Sequence, residues 1–361
     1  MAVKQFYSLR VSDIRRETDS CVSIALQVPE ADRADFVYHA GQYITFKQVI
    51  AGEELRRSYS ICSAPHEGEL RVAVKAVEHG RFSNWANTEL KVGDVLETMP
   101  PMGNFMFKPD AAQNRHVVAF AAGSGITPMM SIMKTLLAEE PNSRFTLIYG
   151  NQRVASIIFK EDIEALKNKY TERLQVIHVL SREKLESDLH YGRIGCDKCD
   201  QLFGALLSLE EVDQYFLCGP EAMILEVKGW LSDKGVPAER VKFELFSSDT
   251  SKQQQAAYKE KHAADAGKMS RVTIKVDDRS MAFDLAFGGE TILDAALKQG
   301  ADLPFACKGG VCCTCRAKVV EGSVDMALNY ALEPDEVENG FVLTCQAHPT
   351  SERVVIDFDA R

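Results

Sequence analysis

The sequence of 361 residues lacks any long apolar run and any excess of positive charge. No stretch approaches the roughly 20 apolar residues that a membrane-spanning helix requires, and no basic segment followed by an apolar one stands at the N-terminus. The net charge is −10, whereas proteins that bind nucleic acids present basic surfaces to the phosphates. We therefore expect a cytoplasmic protein that binds neither a membrane nor a nucleic acid.

The sequence also lacks the motifs with which proteins build an oxygen-activating di-iron centre. It contains no pair of Glu-x2-His motifs, and its eight histidines are scattered along the chain. We therefore do not expect the chain itself to be an oxygenase. Cysteine is the reactive residue that is present in number, with ten side chains. Without a secretion signal, ten cysteines favour metal ligands or reduced thiols over disulfides.

Four cysteines near the C-terminus follow the pattern C-x4-C-x2-C with a fourth cysteine 30 residues downstream: Cys307, Cys312, Cys315 and Cys345. This is the ligand spacing of a plant-type [2Fe–2S] cluster, and it predicts one-electron transfer. Gly309 and Gly310 allow the loop to curl close to the inorganic sulfides. Cys313 interrupts the spacing and is predicted not to bind iron. A zinc site or disulfides are the alternatives, although zinc sites normally use two separated cysteine pairs.

Three patterns of hydrophobicity divide the chain into predicted domains. Residues 1–108 alternate apolar and polar positions in short runs between turn residues, which is typical of an antiparallel β-barrel. Residues 109–246 alternate apolar strands with helical segments, which indicates an α/β domain with a parallel sheet. Residues 247–268 are polar and lack a strong period, so we predict a linker. Residues 269–361 combine a hairpin pattern, an amphipathic helix and a closing strand, which predicts a small α+β domain.

The individual elements can be predicted from the same patterns. Barrel strands are expected at the sequences SCVSIALQV, GQYITFKQV, LRRSYSI, ELRVAVKAV and VGDVLETM. Buried strands of the second domain are expected at HVVAFAA, FTLIYG, LQVIHVL and QYFLCG. Helices of that domain are predicted over residues 128–139, 159–169 and 220–233.

Two short motifs of the predicted barrel suit a phosphate-bearing aromatic cofactor. In Arg57-Ser58-Tyr59-Ser60, strand alternation places Arg57 and Tyr59 on one face. An arginine fork suits a phosphate, and a tyrosine ring can stack on a flat heterocycle. In Gly80-Arg81-Phe82-Ser83, a bare backbone and a hydroxyl offer a second phosphate contact. The alternative is an ordinary exposed edge strand.

Two strand ends of the second domain suit a dinucleotide. Gly123-Ser124-Gly125-Ile126-Thr127-Pro128 follows a strand and precedes a helix, with Thr127 predicted as the N-cap and Pro128 as the first helical residue. A helix N-terminus favours a pyrophosphate. Cys218 ends another strand, and ligands of such sheets bind beyond the carboxyl ends of the strands. A buried thiol without a functional role is the alternative for Cys218.

The motifs just described occur in the order typical of the ferredoxin–NADP⁺ reductase family, which residues 1–246 resemble. The resemblance implies that FAD binds to the barrel. Arg57 would hold the flavin pyrophosphate, Tyr59 would stack on the isoalloxazine, and Ser60 would lie near its reactive nitrogen. Further flavin contacts are implied for Val74, Lys75, Gly80 and Ser83. The resemblance also places Phe246 on the other face of the flavin.

The same resemblance implies a nicotinamide site in the second domain. Cys218 would lie near the nicotinamide, so Ser60 and Cys218 are the predicted catalytic residues. The other predicted contacts are Gly123, Gly125, Thr127 and Gly219. Ser181 and Arg182 resemble the 2′-phosphate site of the family, and a serine and an arginine suit a phosphate dianion. We therefore favour NADPH, although the same pair also occurs in relatives that use NADH.

Longer stretches narrow the resemblance to the reductase subunits of phenylacetyl-CoA epoxidases, namely residues 52–61, 292–312, 329–336 and 354–359. This resemblance covers nearly the whole chain. It implies an antiparallel Greek-key β-barrel for FAD, an α/β parallel-sheet nicotinamide domain and a β-grasp ferredoxin domain. The implied function is electron transfer from NADPH through FAD and [2Fe–2S] to the di-iron oxygenase subunits of phenylacetate catabolism.

Two other functions remain open from the sequence. The chain could serve another oxygenase or a hybrid-cluster protein, because the sequence of electron carriers would be identical. It could also be a redox-sensing binding module without sustained turnover. Intact nicotinamide and flavin motifs argue against the second alternative.

Overall fold

The computed structural model describes residues 6–185, 187–246, 258, 260, 262, 267–277 and 279–360. These residues form two compact units. One comprises Phe6–Pro101 and Phe105–Phe246, and the other comprises Met102–Asn104 with the described residues from 258 onward. Most of the predicted linker lies outside the described residues. Across these ranges, no helix has the length and apolar character needed to cross a membrane.

Six antiparallel strands form the N-terminal barrel: β1 (Tyr7–Thr18), β2 (Cys21–Gln27), β3 (Tyr43–Ile50), β4 (Glu53–Ser60), β5 (Leu70–Lys75) and β6 (Val95–Thr98). Their order is β4-β3-β6-β1-β2-β5, and a bridge between Ile61 and Val72 joins the two outer strands. Leu9, Ile24 and Phe46 are fully buried in its core. A short helix, α1 (Arg81–Thr88), follows β5. The five predicted strands are present, whereas β1 was not predicted because its second half is largely polar.

Five parallel strands form the sheet of the α/β layer: β7 (His116–Ala122), β8 (Arg144–Asn151), β9 (Leu174–Leu180), β10 (Gln214–Gly219) and β11 (Val241–Leu245). Four helices connect them: α2 (Ile126–Glu139), α3 (Lys160–Lys169), α4 (Cys196–Ala205) and α5 (Glu221–Asp233). The strand order is β11-β10-β7-β8-β9. The four predicted strands and three predicted helices are present, whereas α4 and β11 were not predicted.

The strand order creates a switch point at the carboxyl end of β7. The chain leaves β7 toward β8 on one side, and β10 pairs with β7 on the other. A crevice opens at such a point in α/β sheets, and ligands bind there. The glycine turn 123–125 lies at this position. The barrel and the α/β layer also share one apolar core, to which the barrel residues Cys62 and Phe107 contribute.

The C-terminal unit contains a mixed sheet of five strands in the order β13-β12-β18-β14-β16 and a β15-β17 pair. The strands are β12 (Met269–Val276), β13 (Arg279–Ala286), β14 (Arg316–Glu321), β15 (Val324–Met326), β16 (Phe341–Leu343), β17 (Ala347–Pro349) and β18 (Arg353–Asp357). Two helices lie wholly within the described residues of this unit, α6 (Ile292–Lys298) and α7 (Pro334–Glu338). Ile292 and Ala296 of α6 are fully buried in the core of this unit. The predicted hairpin, helix and closing strand are present.

Candidate functional site

A polar cluster lies where the end of barrel strand β4 meets the carboxyl edge of the parallel sheet. The hydroxyl of Ser60 donates a hydrogen bond to Glu244 Oε2 at 3.1 Å. Glu244 is the register partner of Cys218, because β11 pairs directly with β10. The structure therefore brings Ser60 and Cys218, the two predicted catalytic residues, to the same carboxylate.

The surroundings of this polar cluster, which consists of Ser60, Cys218 and Glu244, disfavour negative charge on its side chains. Although Glu244 is partly accessible to solvent, desolvation raises the pKa of its carboxyl to about 8, and the hydrogen bond from Ser60 opposes this shift. Burial, and to a smaller extent Glu244, raises the pKa of the Cys218 thiol well above its ordinary value. At neutral pH the cluster therefore holds a protonated acid, a neutral thiol and a hydroxyl.

Sequence reasoning missed Glu244. It lies in the strand sequence V-K-F-E-L, where charged residues alternate with apolar ones and suggest only an outward-facing position for Glu244. The signal that could have found it is its place two residues before Phe246, which was a predicted flavin contact. Its pairing with Cys218 depends on the sheet order, which the sequence does not reveal.

Arg57 and Tyr59 share one face of β4, as strand alternation predicts. The Tyr59 ring centroid lies 5.5 Å from that of Phe82 and 5.9 Å from that of Phe46. Burial raises the pKa of the Tyr59 phenol, and the nearby Arg57 guanidinium opposes the shift. Arg57 is exposed and donates to the Arg56 carbonyl at 2.7 Å. This face therefore offers a cation beside an aromatic ring.

The second barrel motif forms the N-terminus of α1. A Cβ on Gly80 would lie 2.4 Å from Ser83 Oγ, so no other residue fits here without displacement. The Ser83 hydroxyl accepts a hydrogen bond from the Val77 amide and donates one to the Gly80 carbonyl, each at 3.3 Å. Gly80 and Ser83 are therefore brought together, as the motif predicts.

Lys75 lies at the end of β5 but reaches the glycine turn of the parallel sheet. Its Nζ would be 3.3 Å from a Cβ placed on Gly123. Val74, the other residue predicted from this strand, is fully buried in the barrel core. Lys75 thus belongs to a strand that is predicted to contact the flavin, and its ammonium group lies beside the turn that is predicted to bind the dinucleotide.

The two predicted nicotinamide turns touch each other. A Cβ on Gly125 would lie 2.1 Å from the Cys218 carbonyl oxygen, and one on Gly219 would lie 2.7 Å from Met223 Cε. Gly123 has a φ of +55°, which favours glycine, and its carbonyl accepts a hydrogen bond from the Tyr149 hydroxyl at 2.9 Å. A glycine at position 125 therefore allows the turn after β7 to approach the end of β10 this closely.

The predicted start of helix α2 is wrong by two residues. The helix begins at Ile126 with Gly125 as its N-cap, because a 3-10 turn over Gly123–Gly125 runs directly into it. Thr127 is therefore inside the first turn, where its hydroxyl donates to the Ser124 carbonyl at 3.0 Å. Pro128 is the third helical residue. The helix N-terminus nevertheless faces the switch point.

Ser181 and Arg182 follow β9 at the same edge of the sheet. Their amides donate to the carbonyls of Asn151 and Gln152, each at 2.9 Å, which fixes them against the end of β8. This pairing brings the exposed residue Arg153 next to Arg182 along the edge. Sequence reasoning missed Arg153, because the two arginines are separated by a whole helix and strand.

Phe246 follows β11 directly and is 40% exposed. It stands two residues after Glu244, so an exposed ring lies close to the polar cluster in sequence. Its predicted place against a flavin stays a prediction.

The four cysteines of the predicted cluster converge. Cys312 Sγ lies 3.1 Å from Cys307 Sγ, and Cys345 is within hydrogen-bonding reach of Cys307 and Cys315. The thiols of Cys312 and Cys345 lower the pKa of Cys307 well below its ordinary value. The Gly309 amide also donates to Cys307 Sγ at 3.3 Å.

This donor set fits a [2Fe–2S] cluster. Four soft sulfur ligands that share negative charge are what its two irons require. Among the described residues, no three His, Cys, Asp or Glu side chains are arranged around a single metal ion. A [2Fe–2S] cluster does not require such an arrangement, because its four ligands are divided between two irons. Cys313 is separate, because its Sγ contacts the Ala331 carbonyl at 3.4 Å. The described residues include all ten cysteines, and none forms a disulfide.

Three family models match successive parts of the chain. An oxidoreductase FAD-binding domain matches residues 8–107, and an oxidoreductase NAD-binding domain matches residues 120–229. A 2Fe-2S iron-sulfur cluster binding domain matches residues 274–350. The chain is therefore an oxidoreductase with a binding domain for each predicted type of cofactor.

The relatives match along the full length. The chain is 43% identical over 356 residues to a subunit of 1,2-phenylacetyl-CoA epoxidase of Escherichia coli, and the match covers 99% of this chain and 98% of that protein. The chain belongs to the family of this epoxidase subunit. It is also 33% identical to the ferredoxin reductase component of 3-ketosteroid-9-alpha-monooxygenase of Rhodococcus rhodochrous, over 97% of this chain and 96% of that protein. The predicted family is thus confirmed.

A solved structure supports the architecture. Phthalate dioxygenase reductase matches with a TM-score of 0.58 at 20% sequence identity, over 98% of each chain. At this identity the match concerns the fold alone. Together with the domain matches it confirms the predicted fold class for this member of the phenylacetyl-CoA epoxidase family. The predicted domain boundaries and the roles of the individual site residues stay predictions.

Proposed function

We propose that this chain transfers electrons from NADPH through FAD and a [2Fe–2S] cluster to the di-iron oxygenase subunits of a phenylacetyl-CoA epoxidase. The observation that carries the proposal is a 43% identity to a component of such an epoxidase along 99% of the chain. The three cofactor-binding domains lie in one polypeptide, which suits an internal sequence of carriers. When bound, FAD accepts two electrons together from NADPH and passes them singly to the cluster.

The barrel residues bind and orient the flavin in this proposal. The exposed Arg57 guanidinium holds a phosphate of FAD, and the Tyr59 ring offers a flat surface fixed against Phe46 and Phe82. Gly80 and Ser83 supply the backbone and the hydroxyl at the N-terminus of α1 for a second phosphate contact. The exposed ring of Phe246 covers the other face.

The glycine turns of the parallel sheet and the adjacent polar cluster bring the nicotinamide to the flavin. Gly125 and Gly219 leave room for the dinucleotide at the switch point, and the Lys75 ammonium beside Gly123 attracts its pyrophosphate. Glu244 holds a proton on its carboxyl and is hydrogen-bonded by Ser60. Because the polar cluster is uncharged, it places no negative charge beside the path of the hydride.

NADPH is the favoured donor because of the charge at the sheet edge. Arg153 and Arg182 stand at the ends of the adjacent strands β8 and β9, and both are exposed. Two arginines beside the Ser181 hydroxyl suit the dianionic 2′-phosphate that distinguishes NADPH from NADH. The Glu183 carboxylate accepts the Val154 amide at 2.9 Å, so one negative charge lies on the segment that carries Arg153.

The preference for NADPH can be tested at Arg182. We expect Arg182→Ala to raise KM for NADPH by at least about tenfold and to leave KM for NADH almost unchanged, since only NADPH carries the 2′-phosphate. Steady-state reduction of ferricyanide with each nucleotide measures both constants. Lys184→Ala, which removes an exposed cation two residues away, is the matched control and should affect neither. Equal effects of Arg182→Ala on both nucleotides would contradict the assignment.

The acceptor is tested with the complete chain. The holoprotein is titrated with NADPH without oxygen, and oxygenase subunits of a phenylacetyl-CoA epoxidase are then added with phenylacetyl-CoA and oxygen. We expect flavin bleaching, then cluster reduction, then NADPH oxidation that depends on the acyl-CoA. Reduction of both cofactors without coupled turnover would retain the reductase and reject this partner.

The alternatives give different results in the same experiment. The identity to a 3-ketosteroid-9-alpha-monooxygenase component makes another oxygenase the second candidate, and coupling to such a partner alone would favour it. A redox-sensing module would reduce cytochrome c only once per cofactor and would not turn over. Free thiols throughout the chain are in keeping with a reducing, cytoplasmic location, which we also propose.

A further inference from the structure

One buried amide side chain joins the two segments that carry the cluster cysteines. Gln346 follows Cys345 directly and is 0% exposed. Its Nε2 donates to the Lys308 carbonyl at 3.0 Å and lies 3.8 Å from Cys345 Sγ. A single side chain thus contacts the loop with three cysteines and the sulfur of the fourth.

The loop that Gln346 contacts has an unfavourable backbone. Lys308 has a φ of +52°, which is uncommon for a residue other than glycine, and Gly310 has a φ of +70°. A Cβ on Gly310 would lie 3.1 Å from Gln346 Cγ, so the glutamine occupies the space that this glycine leaves. The bond to the Lys308 carbonyl therefore supports the loop where its conformation is least favourable.

The second contact of Gln346 concerns the charge on sulfur. A cluster gains negative charge on its sulfurs when it is reduced, and hydrogen bonds to those sulfurs favour the reduced form. An amide that is fully buried donates without competition from water, which strengthens its effect. The Gln346 amide is therefore placed to influence both the loop geometry and the reduction potential.

We infer that Gln346 is a positioning residue that holds the cysteine loop against Cys345 and raises the reduction potential of the cluster through its Nε2–H. This inference rests on the proposed cluster site and deepens it. The two effects come from the two hydrogens of one amide, one directed to a carbonyl and one to a sulfur.

The inference is tested with Gln346→Met in the full-length holoprotein, because methionine keeps the length of the side chain and removes the donor. We expect the equilibrium for one-electron reduction of the cluster to shift about tenfold toward the oxidised form, which is about 59 mV. Potentiometric titration followed by electron paramagnetic resonance measures this shift. We also expect faster loss of the cluster to an iron chelator.

The matched control is Gln299→Met, an exposed glutamine at the end of α6 in the same unit. It should leave both the potential and the retention of the cluster unchanged. An unchanged potential in Gln346→Met, or an equal change in Gln299→Met, would overturn the inference while the proposed function stands.

A second measurement needs no variant and decides the case if Gln346→Met does not incorporate a cluster. Wild-type protein labelled with ¹⁵N in its glutamine side chains is reduced, and the coupling between ¹⁵N and the cluster spin is recorded by pulsed electron paramagnetic resonance. A coupling is expected, and its absence would refute the hydrogen bond. A wild-type protein that binds no [2Fe–2S] cluster would overturn the proposed function together with this inference.

Discussion

The polar cluster of Ser60, Cys218 and Glu244 takes its side chains from three strands, and its hydrogen-bonded pair is 184 positions apart in sequence. Three of the four cluster cysteines, in contrast, come from one loop between residues 307 and 315. The first site depends on how the barrel and the parallel sheet are joined, whereas the second depends mainly on the path of one loop. Changes that disturb the sheet should therefore affect nicotinamide chemistry and spare the cysteines.

The two regions also treat charge in opposite ways. The surroundings of Glu244 raise the pKa of its carboxyl, so this site favours the neutral form. In the cluster site, contacts with Cys312 and Cys345 lower the pKa of the Cys307 thiol, and the same contacts raise the pKa of the Cys312 and Cys345 thiols, so this group of sulfurs favours one shared negative charge. A negative sulfur suits an iron ligand, and a neutral acid suits a place where a hydride must pass. The comparison therefore predicts that the reduction of the flavin by the nicotinamide and the electron transfer through the cluster can be disrupted separately.

Removing one cysteine ligand should give the largest effect. We expect Cys312→Ser to abolish the visible absorbance of the cluster and all electron transfer that depends on it. Reduction of ferricyanide by NADPH should stay at the wild-type level, because it needs only the flavin. Absorbance spectra and steady-state assays measure the two properties.

Cys313→Ser is the control for this change. The Cys313 sulfur contacts the Ala331 carbonyl, and the cysteine spacing leaves it out of the ligand set, so this variant should keep the cluster. If Cys312→Ser lost ferricyanide reduction as well as cluster-dependent electron transfer, the two parts of the reaction would not be separable.

Adding one methyl group between the two nicotinamide turns should give the next largest effect. A Cβ at Gly125 would collide with the Cys218 carbonyl oxygen, so Gly125→Ala must push the glycine turn after β7 away from the end of β10. We expect kcat/KM for NADPH to fall by about 100-fold, because small displacements of bound reactants are that costly. Cluster absorbance should remain.

The control for this change is Gly229→Ala in helix α5. Nothing lies within 4 Å of a Cβ at that position, so the substitution should leave turnover unchanged and stabilise the helix by up to about 1 kcal/mol. Rapid-mixing measurements of flavin reduction compare the two variants. Equal rates in both would show that the contact between the turns is unimportant.

Much of the barrel, the α/β layer and the cysteine loop could be predicted from the sequence, because their signals are local. Alternation, strand–helix succession and cysteine spacing all repeat within a few residues. Helix α4 was missed because charged residues interrupt the apolar positions in the first half of Cys196–Ala205, and β11 was missed because it spans only Val241–Leu245. Such short or polar elements form through contacts with the sheet and leave little pattern in the sequence.

The parts of the site that the sequence did not reveal are those set by strand register. Glu244 was missed because its pairing with Cys218 follows from the order of β10 and β11. Arg153 was missed for the same reason, since β8 and β9 must first be neighbours. The cap at Thr127 was misplaced because a 3-10 turn extended the helix backward. A local motif cannot report on these long-range arrangements.

The smallest expected effect sharpens the comparison of charge. Since the folded protein keeps a proton on Glu244 up to a pH of about 8 and an ordinary glutamate loses it near 4.5, folding is opposed increasingly as the pH rises between these values. The opposition grows by much less than the limit of about 1.4 kcal/mol per pH unit, because Glu244 is partly accessible to solvent, and it stays constant above pH 8. Glu244→Gln cannot lose a proton, so its stability relative to wild type should rise across this window and not below it. Thermal unfolding from pH 4 to 9 measures the trend, and infrared difference spectra at pH 7 should show the protonated carboxyl only in the wild type.

The control is Glu239→Gln, at an exposed glutamate, and it should follow the wild-type profile. A Glu244→Gln variant with that same profile would mean that Glu244 is ionised at neutral pH, and the contrast in charge between the two sites would be lost.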